Sequence, residues 1–113
     1  MKILISGVGG PTPLGIAKSL RLKYPKEALT LIGIDGSRLA PGLYNKVLFD
    51  KTFLVPHSHN ENYWTVIENI VKNEGIDYAF IIPETEVLVW SKRQKEKGLP
   101  CASVFASLLL STS

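Results

Sequence analysis

Short runs of nearly continuous apolar character at residues 3–5, 30–34 and 78–82 read as buried strands, and 51–55 and 100–104 read as two further short strands. Between them the apolar residues recur at spacings of three and four, the mark of an amphipathic helix. A first helix is predicted over 12–24, with Leu14, Ala17, Leu20 and Tyr24 on one stripe. The most regular helix carries Tyr63, Val66, Ile67, Ile70 and Val71, with Asn60 as candidate N-cap and Gly75 just past its end. A third runs over 85–97, opened by Thr85 and closed by Gly98. Residues 36–50 show no clean period and hold Pro41, Gly42 and Asn45, so they are expected to form a loop with room for one short helical turn. Pro56 and Pro83 stop the third and fourth strands. Residues 105–113 are expected to begin another helix.

Strands that alternate with helices imply parallel pairing through right-handed crossovers. The expected fold is α/β: a Rossmann-like, three-layer domain over residues 1–113 with a five-stranded parallel sheet in the order 3-2-1-4-5. In that order the connections after strands 1 and 4 leave in opposite directions. The loops at 9–13 and 83–86 then flank one crevice, where a ligand is expected to bind.

The size of 113 residues allows one domain with a core, not a sheet domain plus a catalytic domain. An apolar fraction of 45% and a charged fraction of 20% are those of a globular chain. No run approaches the roughly 20 apolar residues of a membrane span, and the apolar run at the N-terminus is shorter than a signal-peptide core. A single cysteine, Cys101, forms no internal disulfide, which fits a reducing compartment, the cytoplasm by default. The net charge of +3 is spread along the chain, so neither nucleic acid nor a membrane surface is an expected partner. Lys92, Arg93, Lys95 and Lys97 gather at the end of the third helix, where cations suit the negative end of the dipole and solvent.

The segment from Gly7 to Gly15 joins the first strand to the first helix, a turn that collects backbone N–H groups at a positive helix end. Counted from Gly7, the third position is Gly9 but the sixth is Thr12, so the dinucleotide pattern is imperfect unless Gly15 serves in a shifted register. Pro11 and Pro13 bring no N–H. The amides of Gly9, Gly10, Thr12 and Leu14 are candidate contacts for an anion or carboxylate. Alternatively the glycines only make the turn and Pro11 starts the helix. Asp35 lies where a ribose-binding acid is expected, yet Asp35-Gly36 is also a strong turn pair whose carboxylate bonds the following N–H groups. Glu84 and Glu86 face the glycine loop, where they repel a pyrophosphate and welcome an amine. They also suit the first turn of a helix, and a spacing of two puts them on different faces. His57 and His59 share a polar stretch that reads as a loop entering a helix, with no further metal ligands in view. No serine nucleophile elbow, Walker loop or paired-cysteine site is present, so no catalytic residue and no metal site is assigned.

The succession Ile3-Leu4-Ile5-Ser6-Gly7-Val8-Gly9-Gly10-Pro11, Leu31-Ile32-Gly33-Ile34-Asp35, Asp50-Lys51-Thr52-Phe53-Leu54-Val55-Pro56, the fourth strand with Glu84-Thr85-Glu86-Val87-Leu88, and Gly98-Leu99-Pro100 resembles the N-terminal domain of ATP-grasp ligases. The likeness is to the carbamoyl phosphate synthase large-subunit type and spans nearly the whole chain in order. It implies a pre-ATP-grasp domain ahead of two lobes that bind ATP and magnesium, in an enzyme that phosphorylates a carboxylate and lets an amine capture the acyl phosphate. By the same likeness Gly9, Gly10 and Pro11 with Glu84, Thr85 and Glu86 shape the site of a small carboxylate or amine. The resemblance further implies a domain inactive without its lobes, supplied in cis or in trans.

Family members continue from the position of Phe105 into a helix leading to those lobes. Phe105, Leu108, Leu109 and Leu110 are therefore expected to lack a partner within the chain, which would make it a truncation, a fragment or a free-standing relic, with homodimerisation one way to cover the tail. The alternatives are a stand-alone NAD(P)-binding module and a non-enzymatic interaction domain that pairs with separately encoded lobes. Gly7, Gly9 and Asp35 as cofactor contacts favour the NAD(P) module, while Pro11, Thr12 and Pro13 disfavour it.

Overall fold

A computed structural model describes residues 1–105; the helix expected over 105–113, with Leu108, Leu109 and Leu110, otherwise lies outside the described residues. Five strands, β1 (Lys2–Ser6), β2 (Thr30–Asp35), β3 (Lys51–Leu54), β4 (Tyr78–Ile81) and β5 (Ala102–Phe105), form one parallel sheet in the order β3-β2-β1-β4-β5. Three helices, α1 (Pro11–Lys23), α2 (Tyr63–Glu74) and α3 (Glu84–Glu96), complete an α/β fold of Rossmann-like type. The loop at 36–50 contains the short helical turn, a 3-10 helix at Pro41–Tyr44.

The pleat sorts each strand between two cores. Leu4, Ile32, Ile34, Ala79 and Ile81 face α2 and α3 and pack against Tyr63, Ile67, Val87 and Trp90. Ile3, Ile5 and Leu31 face α1 and pack against Ala17, Leu48 and Phe49. The helical residues on each side follow the spacing of three and four, Tyr63 with Ile67 and Val87 with Trp90 on one, Leu14, Ala17 and Leu20 on the other, which aligns them on one stripe. Arg21 anchors α1 to this face: its Nε donates to Leu48 O, Nη1 to Leu29 O and Nη2 to Asp50 Oδ2, each within 2.9 Å. Burial opposes charge on Asp50, but the Arg21 guanidinium and the Leu31 N–H outweigh it and hold the carboxyl below its usual pKa.

Four details differ from the sequence-based expectation. The apolar run of β4 implied cover on both faces. Tyr78 is nonetheless 46% exposed, and Ala102 beside it is exposed, because α2 and α3 both pack on the opposite face. Phe105 does not lack a partner: it ends β5 buried in the α2–α3 core. Asn62, not Asn60, is the N-cap of α2, and Asn60 instead closes an Asx turn by accepting the Asn62 N–H (2.9 Å). Pro83, not Thr85, precedes α3 as its cap residue. The proline ring holds φ at −60°, which suits the extended backbone of a helix entry, and α3 has no side-chain cap hydrogen bond.

Candidate functional site

β3, β2, β1 and β4 end side by side, and their C-terminal connections surround one crevice of about 150 Å³ at the switch point of the sheet. Gly7 and Pro83 form one wall, Asp35 and Ser37 a second, and His57 and Glu86 a third. Ser6, fully buried at the end of β1, locks two of these connections together by accepting the Ile82 N–H at 3.0 Å. Gly7 has φ 69°, and a Cβ there would stand 2.4 Å from Pro83 Cγ. Only glycine lets the first turn lie against the fourth-strand loop. Gly42 performs a similar service beneath the loop, donating to Val8 O (3.1 Å) where a Cβ would lie 2.1 Å from that oxygen.

The glycine loop has little left to offer an anion. The Gly9 N–H donates to Asp35 Oδ2 (2.9 Å) and the Gly10 N–H to Gly7 O (3.0 Å). Pro11 and Pro13 have none, and Leu14 is the first intrahelical donor of α1. Thr12 alone remains of the amides singled out in the sequence. Gly15 does not supply close helix packing, since it is exposed and a Cβ there would meet nothing within 4 Å. Asp35 takes the turn role, its Oδ1 accepting the Ser37 N–H (2.8 Å) while Oδ2 pins the glycine loop. Both carboxylate oxygens that a ribose would need are engaged.

Glu84, Thr85 and Glu86 separate along α3. Glu84 and Thr85 are exposed, whereas Glu86 is 8% exposed and turns inward to the crevice. Its Oε2 accepts the Tyr63 hydroxyl, and that hydroxyl in turn accepts the Trp90 Nε1–H at 2.7 Å. This buried relay ties α2 to α3. Burial pushes the Glu86 carboxyl above its usual pKa; the Tyr63 hydrogen bond opposes that, the Asp35 charge adds to it and the His57 charge opposes it. Burial and the Glu86 charge raise the Tyr63 phenol as well, so it stays protonated and donating.

The two histidines part company: His57 lines the crevice, while His59 lines a separate groove of about 660 Å³ between α2 and α3. That groove is larger but is a surface furrow, and its central cation is already used. Arg93 lies over the Trp64 ring at 4.3 Å and pairs with Glu68, while Lys92, Lys95 and Lys97 stay in solvent. Among the described residues no three His, Cys, Asp or Glu side chains converge to hold a metal ion, and no helix is long and apolar enough to cross a membrane.

Sequence reasoning missed Ser6, Tyr63 and Trp90 as parts of the crevice and its support. Tyr63 and Trp90 read as apolar stripe residues, and only the four-residue spacing of Glu86 and Trp90 signals that both lie on the inner face of α3. Comparison with protein-family models and with curated proteins finds no match to this chain.

Proposed function

We propose that this chain is the N-terminal, substrate-site domain of an ATP-dependent carboxylate–amine ligase of the carbamoyl phosphate synthase-like ATP-grasp kind, inactive without its ATP-binding lobes. Support comes from the ordered likeness of its sequence to that family. The observation that carries the reading is the crevice itself, in which a spent glycine loop meets Asp35 and Glu86. A site that holds phosphate needs free amides or cations at the loop. This one offers carboxylates, which suits the capture of a small substrate beside a nucleotide bound elsewhere.

ATP is larger than the crevice, and neither ATP nor magnesium is assigned to it. The volume of the crevice equals about five waters at roughly 30 Å³ each, well short of the roughly 300 Å³ at which pockets for drug-sized ligands begin. In the proposed scheme both belong to the lobes, supplied in cis or in trans, and the crevice receives the small carboxylate or amine. The engaged oxygens of Asp35 weigh against the NAD(P) alternative.

Calorimetric titration of the chain with NADH and with ATP tests the reading. Tight binding of neither is expected. Tight NADH binding, or ATP hydrolysis by the chain unaided, overturns it.

A further inference from the structure

The crevice holds more negative charge than the protein neutralises. Glu86 is 8% exposed, yet among the described residues only Oε2 is hydrogen-bonded. No sealed side-chain oxygen lacks a partner among those residues, so Oε1 is open to the cavity that Glu86 lines. On the facing wall Asp35 accepts two backbone N–H groups but no cation, because the ion pairs of the described residues are Arg21–Asp50, Lys51–Glu74 and Arg93–Glu68. The other titratable groups at Glu86 are His57, on the rim, and the protonated Tyr63.

We propose that this crevice binds a primary ammonium group, seated on the open oxygen of Glu86 with Asp35 as the second negative wall. Under the ligase reading, on which the word acceptor rests, this is the amino end of the acceptor amine. Charge decides against a carboxylate, since two carboxylates in a confined site of low dielectric repel a third. A divalent cation held mainly by the protein wants a converging set of ligands, and among the described residues no three His, Cys, Asp or Glu side chains gather here. An ammonium carries three N–H donors and demands only scattered acceptors: the open Oε1 of Glu86 is the first, Asp35 adds its charge across the cavity, and Ser58 and Thr85 are among the lining residues. Space for about five waters holds such a head group with a short alkyl stem.

The relay behind Glu86 makes the event visible. A cation on Oε1 draws charge from Oε2, which loosens the Tyr63 hydroxyl and so alters the hydrogen bond of the Trp90 indole N–H. The indole signals of Trp90 and Trp64 in a proton–nitrogen NMR spectrum of the whole chain are therefore followed at pH 8 during titration with ethylammonium, and separately with acetate at equal ionic strength. A saturable shift at Trp90, larger than at Trp64, is expected with ethylammonium and not with acetate. Glu86→Gln keeps an acceptor for Tyr63 and is expected to weaken the binding roughly ten- to hundredfold. Glu84→Gln, on the exposed side of the same turn, is expected to change it by less than about twofold.

No saturable shift with ethylammonium, saturation by acetate, or an equal loss in Glu84→Gln and Glu86→Gln overturns the proposal. Such a failure removes the ammonium site and leaves the ligase reading with a carboxylate in the crevice. Tight NADH binding removes the ligase reading while the ammonium contact stands on its own titration.

Discussion

Gly7 and Gly15 belong to one loop and helix but answer to opposite constraints. Gly7 combines a left-handed backbone with a Cβ position inside Pro83, so Gly7→Ala is expected to lower stability by at least about 2 kcal/mol in urea denaturation. Gly15 faces open space inside α1, and Gly15→Ala is expected to raise stability by roughly 0.5–1 kcal/mol in the same assay. The letters alone do not separate them, because the difference lies in a residue more than seventy positions away. Asp35 is the opposite case: its turn role was legible in the pair Asp35-Gly36, since an Asx turn is a local device. Glu86 titrates above the usual glutamate value of 4.5 in the folded chain. The folded state therefore holds a proton that the unfolded state has released, so this group's contribution is full below pH 4.5 and is lost as pH rises through the folded value. Glu86→Gln removes that loss. Its stability relative to the parent chain is expected to rise from pH 4.5 towards neutral, which denaturation at a series of pH values measures.

α2 and α3 are fastened by more than apolar stripes. Tyr63→Phe keeps the ring but strips a buried hydroxyl that serves two neighbours, leaving the Trp90 N–H without an acceptor and Glu86 without a donor. It is expected to cost about 1–3 kcal/mol in urea denaturation and to shift the Trp90 fluorescence. The stripes of α1 and α2 were legible because periodicity is set by the helix itself. The entries of α2 and α3 were not. Asn60 and Thr85 have capping side chains, but Asn62 and Pro83 take the cap positions, because the turn at 57–60 and the stop at Pro83 decide where each helix begins. The candidate site was half legible for a related reason. Alternation of strands and helices placed the loops at 9–13 and 83–86 beside one crevice; the second does line it, with Asp35, but the first turn contributes Gly7 in place of residues 9–13. Which carboxylate turns inward, and which amides are already spent, depends on packing between distant segments.

For the molecule as a whole, the parallel order with β1 at the centre was legible from alternation and the handedness of crossovers. The bare face of β4 and β5 at Tyr78 and Ala102 was not, since a short apolar run reads the same whether one side or both are covered. Asp35 and the glycine amides are bonded to each other before any ligand arrives, so a dinucleotide would have to break those contacts to enter. Heat signals from NADH are accordingly expected to stay at the level of dilution across a titration that reaches millimolar concentrations.

Central placement of β1 also governs how the polypeptide emerges during synthesis. One edge of that strand meets β2 early, but its other partner, β4, starts at Tyr78. At about 5–20 residues per second, the second edge waits on the order of four to fifteen seconds after β1 is made. Throughout that interval an unpaired row of Ile3, Leu4 and Ile5 is offered to any neighbouring nascent chain, which makes translation speed and chaperone supply determinants of yield.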